Sequence, residues 1–145
     1  MEDVLNYENR DSLYKFLIDD FGFMKVEEKY DSKAFGNFLI ILSAKEFLLQ
    51  YVNDRLYLTI EIASHAEPTK WLALSFVRDF IYNPDTINSG DKLANSARIS
   101  ELNAFIKKDF DLIADLFDRD NYEDTRQKID KLLKEKFERK FPGTM

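Results

Sequence analysis

The run Phe47-Leu48-Leu49-Gln50-Tyr51-Val52-Asn53-Asp54-Arg55-Leu56-Tyr57-Leu58-Thr59-Ile60-Glu61-Ile62-Ala63 decides the fold of this chain. Phe47, Leu49 and Tyr51 alternate with Leu48, Gln50 and Val52. Beyond Asn53-Asp54-Arg55, Leu56, Leu58, Ile60 and Ile62 alternate with Tyr57, Thr59, Glu61 and Ala63. A period of two belongs to strands, whose successive side chains point to opposite faces. Two alternating runs flanking a short Asn/Asp turn predict an antiparallel hairpin.

Working upstream, Phe38-Leu39-Ile40-Ile41-Leu42 is a continuous apolar run of strand length, expected for a strand covered on both faces. Gly36 marks a turn before it. Phe23 to Tyr30 reads as a polar edge strand with Lys25, Glu27 and Lys29 on one face. Leu13, Phe16, Leu17 and Phe21 make one helical stripe, with Asp11 or Ser12 as N-cap and Gly22 as a left-handed C-terminal cap. Downstream, the segment after Pro68 has two readings. In one, Trp71-Leu72-Ala73-Leu74 is a last strand and Ser75 caps a short helix to Tyr82. In the other, Thr69 caps a single helix from Lys70 to Tyr82. The first is preferred, and Asn83-Pro84-Asp85 ends either. Two long helices follow. Ile99, Leu102, Phe105/Ile106, Phe110, Ile113 and Leu116/Phe117 form the stripe of the first. Tyr122, Ile129, Leu132, Leu133, Phe137 and Phe141 form that of the second, up to Pro142-Gly143.

The expectation is an α+β chain: a short N-terminal helix, a four- to five-stranded antiparallel meander sheet, and a C-terminal helical hairpin packed on one face. The 145 residues suit a single domain, 1–145, read as helix 11–22, sheet 23–74, short helix 75–83, loop 84–96 and helical hairpin 97–141.

Composition narrows the chemistry. Without cysteine there is no disulfide framework, thiolate nucleophile or Cys-based zinc site, which favours a reducing, cytoplasmic compartment. No signal-peptide pattern opens the chain, and no apolar run approaches the ~20 residues that span a bilayer, so no membrane partner is expected. The sole imidazole, His65, follows Ser64 and lies near Glu61 and Glu67, but adjacent residues of a strand face opposite ways. A surface or turn role is therefore the reading for His65. No catalytic, cofactor-binding or metal-binding residues are expected, and no cofactor.

Charge is distributed unevenly. Residues 1–36 hold nine acids and five bases, 37–82 five and four, 83–120 eight and five, and 121–145 five and seven. The C-terminal bases are explained locally. Asp124–Lys128, Asp130–Lys134 and Glu135–Arg139 are acid-before-base i,i+4 pairs, so no nucleic-acid partner is expected. The acids are less well accounted for. Asp111, Asp115 and Asp118 form a like-charge stripe, and Asp118 and Asp120, like Asp19 and Asp20, sit at a helix C-terminus where the dipole disfavours anions. A solvated acidic face is one explanation; a surface tuned to a basic partner is the other. Tyr51, Tyr57 and Trp71 are either ordinary packing or part of an exposed sheet face that binds.

The segments Leu17-Ile18-Asp19-Asp20-Phe21-Gly22-Phe23, Gly36-Asn37-Phe38-Leu39-Ile40, Tyr51-Val52-Asn53-Asp54-Arg55 and Trp71-Leu72-Ala73-Leu74 together resemble small bacterial α+β proteins that include immunity proteins of polymorphic-toxin loci. The resemblance covers about residues 11–82 and carries no catalytic signature. Where such proteins often have a glycine after the Asp-Arg pair, this chain has Leu56. It implies a cytoplasmic, acidic protein that neutralises a toxin by occluding it.

The expected function is thus a non-enzymatic protein-binding protein, an immunity-type inhibitor of a basic toxin domain. Its expected surface joins Asp111, Asp115 and Asp118 with Tyr51, Tyr57 and Trp71, and with Asp19 and Asp20. A homodimeric structural or regulatory protein and a small carboxylate-dependent enzyme are the alternatives.

Overall fold

A computed structural model describes residues 10–31, 33, 37–55, 57–82 and 95–140. Helix α1 (Asp11–Phe21) is followed by strands β1 (Met24–Asp31), β2 (Asn37–Ser43), β3 (Phe47–Asp54), β4 (Tyr57–Ser64) and β5 (Leu72–Ala73). Helices α2 (Leu74–Tyr82), α3 (Asn95–Phe117) and α4 (Tyr122–Lys140) complete the order. The strands form one antiparallel sheet in sequence order, β1-β2-β3-β4-β5.

Helix α1 ends as its sequence predicts. Gly22 takes φ +74°, and the N–H of Phe23 returns to the Leu17 carbonyl. Left-handed backbone costs a residue with a Cβ roughly 1–2 kcal/mol, so glycine is the natural stop. The following Phe23 is not part of β1. It is buried and meets the rings of Phe47 and Phe110 at 5.6 and 6.2 Å, in a cluster where Phe21 also stacks on Phe110 at 4.8 Å.

The sheet has one fully covered face. Phe38, Ile40 and Leu42 of β2, Phe47, Leu49 and Tyr51 of β3, and Leu58, Ile60 and Ile62 of β4 are buried there. They share a core with Leu17 of α1, Leu74 and Val77 of α2, and Ile99, Leu102, Ile106, Ile113 and Phe117 of α3. Two contacts lock the layers. The Tyr51 hydroxyl donates to Asn103 Oδ1 at 2.8 Å, and Asn103 Nδ2 donates to the Leu13 carbonyl at 2.9 Å.

Strand β2 departs from its expected double coverage. Its residues alternate, with Leu39 and Ile41 half-buried between fully buried neighbours. The apolar run arises because the second face carries a strip of aliphatic side chains, not because helices lie on both sides. In β1 a bulge between Lys25 and Glu27 breaks the expected one-sided charge stripe. An extra residue shifts the alternation. Lys25 turns to the helix side, near the Tyr14 hydroxyl and paired with Glu28, while Glu27 and Lys29 fall on the other face, opposite Ile41 and Leu39.

The hairpin turn lies one residue later than the sequence suggests. Asp54 still pairs with Tyr57, where β4 begins; Leu56, expected to open the strand, is outside the described residues, as are Gly36 and its turn. Arg55 has φ +54° and donates its N–H to Asn37 Oδ1. After Pro68 the strand-then-helix reading holds, with a strand of only two residues and a helix beginning at Leu74. Of the loop expected at 84–96, residues 84–94 are outside the described residues, and Asn95 and Ser96 already belong to α3. Phe141 and Pro142-Gly143 are outside them too.

Helix α3 is kinked at Asp109, whose φ of −114° and ψ of 24° interrupt an otherwise helical run. Neither proline nor glycine is present to cause this. At that point the Tyr82 hydroxyl of α2 donates to Asp109 Oδ2 at 2.7 Å, and Phe110 enters the aromatic cluster. Helix α4 buries Tyr122, Thr125 and Ile129, whereas Leu133, one turn on, is exposed. Among the described residues no helix is long and apolar enough to cross a membrane.

Candidate interaction surfaces

The register places the side chains of the second sheet face in rows. Met24, Ser43, Leu48 and Ala63 lie abreast at one end, followed by Glu27, Ile41, Gln50, Glu61 and Ala73. Next come Lys29, Leu39, Val52 and Thr59, and then Asp31, Asn37, Asp54 and Tyr57. The centre is aliphatic and the margin charged. Leu48, Gln50 and Ala63 are buried, while Leu39, Ile41 and Val52 keep partial exposure. Gln50 Nε2 donates to Glu61 Oε1, so this carboxylate sits against an amide in mostly apolar surroundings. Glu27 and Lys29 form an ion pair at 3.1 Å.

The expected aromatic surface separates. Tyr57, at 50% exposure, lies on this second face. Tyr51 does not: it shares the covered face with Leu49, pairs with Ile60 and has no exposed area. Its burial beneath α1 and α3 raises its pKa well above the ordinary tyrosine value. Trp71 is half-buried, directly before β5 and beside the opposite end of the sheet from Tyr57.

The aspartates of α3 do come together. Asp111, Asp115, Asp118 and Asp120 line a groove of about 540 Å³ with Ala114, Arg119, and Lys45 and Glu46 from the turn between β2 and β3. Five carboxylates there face two cations. Asp19 and Asp20 do not line it, but they reach the same end of the sheet, since Phe21 packs on Phe110 and Met24 pairs with Ser43. Asp19 lies 3.9 Å from Lys15, an exposed i,i+4 pair.

Asp118 has a structural task that its sequence position concealed. Its carboxylate accepts the Asn121 N–H at 2.9 Å, and its carbonyl accepts the Tyr122 N–H, so it shapes the connection into α4. Asn121 also donates to the Asp115 carbonyl at 2.8 Å, and Thr125 Oγ1 donates to that of Leu116. These bonds satisfy terminal carbonyls of α3. Asp111, Asp115 and Asp120 are the exposed acids of the groove.

His65 and Ser64 serve turns. The imidazole Nε2 donates to the Ala44 carbonyl at 2.7 Å, which requires the proton on Nε2; the Ser64 hydroxyl accepts the Ala66 N–H. Nearby, Glu67 takes an ion pair from Arg126 at 3.7 Å. Burial, followed by the charge of Glu67, pushes Tyr122 up to about 12. Among the described residues no three His, Cys, Asp or Glu side chains are placed to hold a metal ion.

Two features carry no signal in the sequence, the Gln50–Glu61 pair and the contribution of Lys45 and Glu46 to the groove. Both depend on strand register or on a turn's approach to a distant helix. No protein-family model, curated protein or solved structure matches this chain.

Proposed function

We propose that this is a non-enzymatic, cytoplasmic protein-binding protein that occludes a basic partner, in the manner of an immunity protein holding a toxin domain. The observation that supports this reading is the groove at the end of α3, where Asp111 and Asp115 stand exposed in an excess of acid over base. Acidic surfaces steer cationic partners to encounter and hold them by charge pairs at the rim. The second sheet face, on the side away from α3, separately carries the aliphatic strip of Leu39, Ile41 and Val52.

The test uses the full chain as bait in extract of its own host, beside an Asp111→Lys/Asp115→Lys variant. A captured protein is then purified and titrated against both baits at low and high salt. A basic partner whose affinity falls by about tenfold or more with the double reversal, and also falls with salt, supports the assignment. Equal affinity for both baits, or binding indifferent to salt, removes the groove from the function.

A further inference from the structure

The second face of the sheet carries charge that it does not itself neutralise. Glu61 is half-buried between Gln50 and Ala73 of its row. Among the described residues its partner is the Gln50 amide alone, and Gln50 is buried. Asp54, two rows on, likewise accepts from an amide, that of Asn37 at 3.4 Å. Glu27 and Lys29, by contrast, cancel each other as an ion pair. Between these charges run Leu39, Ile41 and Val52, aliphatic and half-buried. An amide solvates a carboxylate but leaves its charge in place. An apolar cover over the strip would therefore strand the Glu61 charge unless it brought a cation with it.

We propose that this face docks a cationic amphipathic helix of a protein partner, laid along β2 and β3 with a lysine or arginine seated at Glu61. Backbone groups in the interior of a sheet are already engaged in its ladder, so an extended chain on the face would find none to pair with. A helix satisfies its own. Strands β1 and β4 lie three strand spacings apart, roughly 14 Å, and a helix with its side chains is about 10–12 Å across. Its aliphatic stripe thus meets Leu39, Ile41 and Val52, while its flanks reach Glu61 on one side and Glu27 on the other. From Asn37 to Ser43 the strip spans about 20 Å, the length of about 14 helical residues. A second copy of this chain is the wrong occupant. The described residues of the face set Glu27, Asp31, Asp54 and Glu61 against Lys29, and a two-fold contact would press two such acidic faces together. The surface lies on the side of the sheet away from α3, so it does not depend on the groove of Asp111 and Asp115.

The probe is a synthetic amphipathic helix of about 14 residues, with leucine on one face and lysine on its flanks. Its twin carries glutamate in place of lysine. Each is titrated into the full chain at physiological ionic strength and followed by two-dimensional amide NMR. The lysine peptide should move the signals of Leu39, Ile41, Val52 and Glu61 with a Kd of about 100 μM or tighter, and the glutamate peptide should not. Glu61→Gln, which keeps an acceptor for the Gln50 amide, should weaken binding about tenfold, and Ile41→Lys at least as much. Asp111→Lys/Asp115→Lys should leave the Kd within about threefold, because charges farther apart than about 8 Å are screened. A failed groove therefore leaves this surface standing, and the converse holds too. The same spectra show whether each variant is folded. Signals unmoved by about 1 mM lysine peptide overturn the proposal. So do shifts confined to α3, equal responses to both peptides, or a Kd indifferent to Glu61→Gln.

Discussion

Arg55 occupies left-handed backbone at φ +54°, a conformation that glycine adopts freely and that costs other residues roughly 1–2 kcal/mol. Its backbone N–H bonds to Asn37 Oδ1, an interaction that survives any side-chain change except to proline. Arg55→Gly should therefore stabilise the chain, by about 0.5 kcal/mol once the greater freedom of glycine in the unfolded state is subtracted. Urea denaturation checks this: the midpoint should rise with an unchanged slope. A lower midpoint would mean that the arginine side chain contributes more than the strain removes. The same turn explains why the fate of Tyr51 was hard to read. Tyr51 and Tyr57 flank one hairpin, and whether they share a face depends on the number of residues in its turn. With Asp54 opposite Tyr57, the two tyrosines fall on opposite faces. Gly22 was legible because its role is local, a cap set by a few neighbouring residues.

At the scale of elements, β2 offers an internal comparison. Ile40 is fully buried between β1 and β3 on the helix side, and Ile41, its sequence neighbour, is half-buried on the other. Ile40→Ala should cost about 2–5 kcal/mol, the range for emptying a packed site. Ile41→Ala should cost about 1 kcal/mol, because less apolar area is removed from contact. Equal losses in chemical denaturation would show that the second face is as tightly packed as the first. The alternation of β3 and β4 and the stripes of the long helices could be read from one dimension, since periodicity reports local geometry. Coverage could not. The apolar run of β2 looks the same whether a helix or solvent lies beyond it. The kink at Asp109 likewise coincides with a contact distant in sequence, the Tyr82 hydroxyl bond to its carboxylate.

For the whole molecule, three tyrosines tie titration to stability. Tyr14, Tyr51 and Tyr122 all have raised pKa values, mainly because burial disfavours the phenolate. The unfolded chain releases these protons near the ordinary value of 10, while folded Tyr122 holds its proton to about 12. Across that window the native state binds more protons than the unfolded one, so stability falls as pH rises and is fully present below 10. The urea midpoint should drop as pH rises from 10 toward about 12. Tyr122→Phe should flatten the drop. A midpoint constant over that range would contradict the tyrosine burial. The groove of Asp111 and Asp115 belongs to this scale as well. The sequence displays the stripe of acids on α3, but Lys45 and Glu46 join it only through the meeting of a turn and a helix more than 60 residues apart.

The neighbour-to-neighbour order of the strands sets the sequence of assembly. Each hairpin of the meander closes over a short connection, and α1 joins β1 through Gly22 and Phe23 alone. The bond from Asn103 to the Leu13 carbonyl instead closes a loop across 90 positions. By the logarithmic law for chain closure, that step costs about 3 kcal/mol more than a four-residue turn. The sheet can therefore zip from local contacts first, with the seating of α3 over α1 and Tyr51 as the entropically expensive late event.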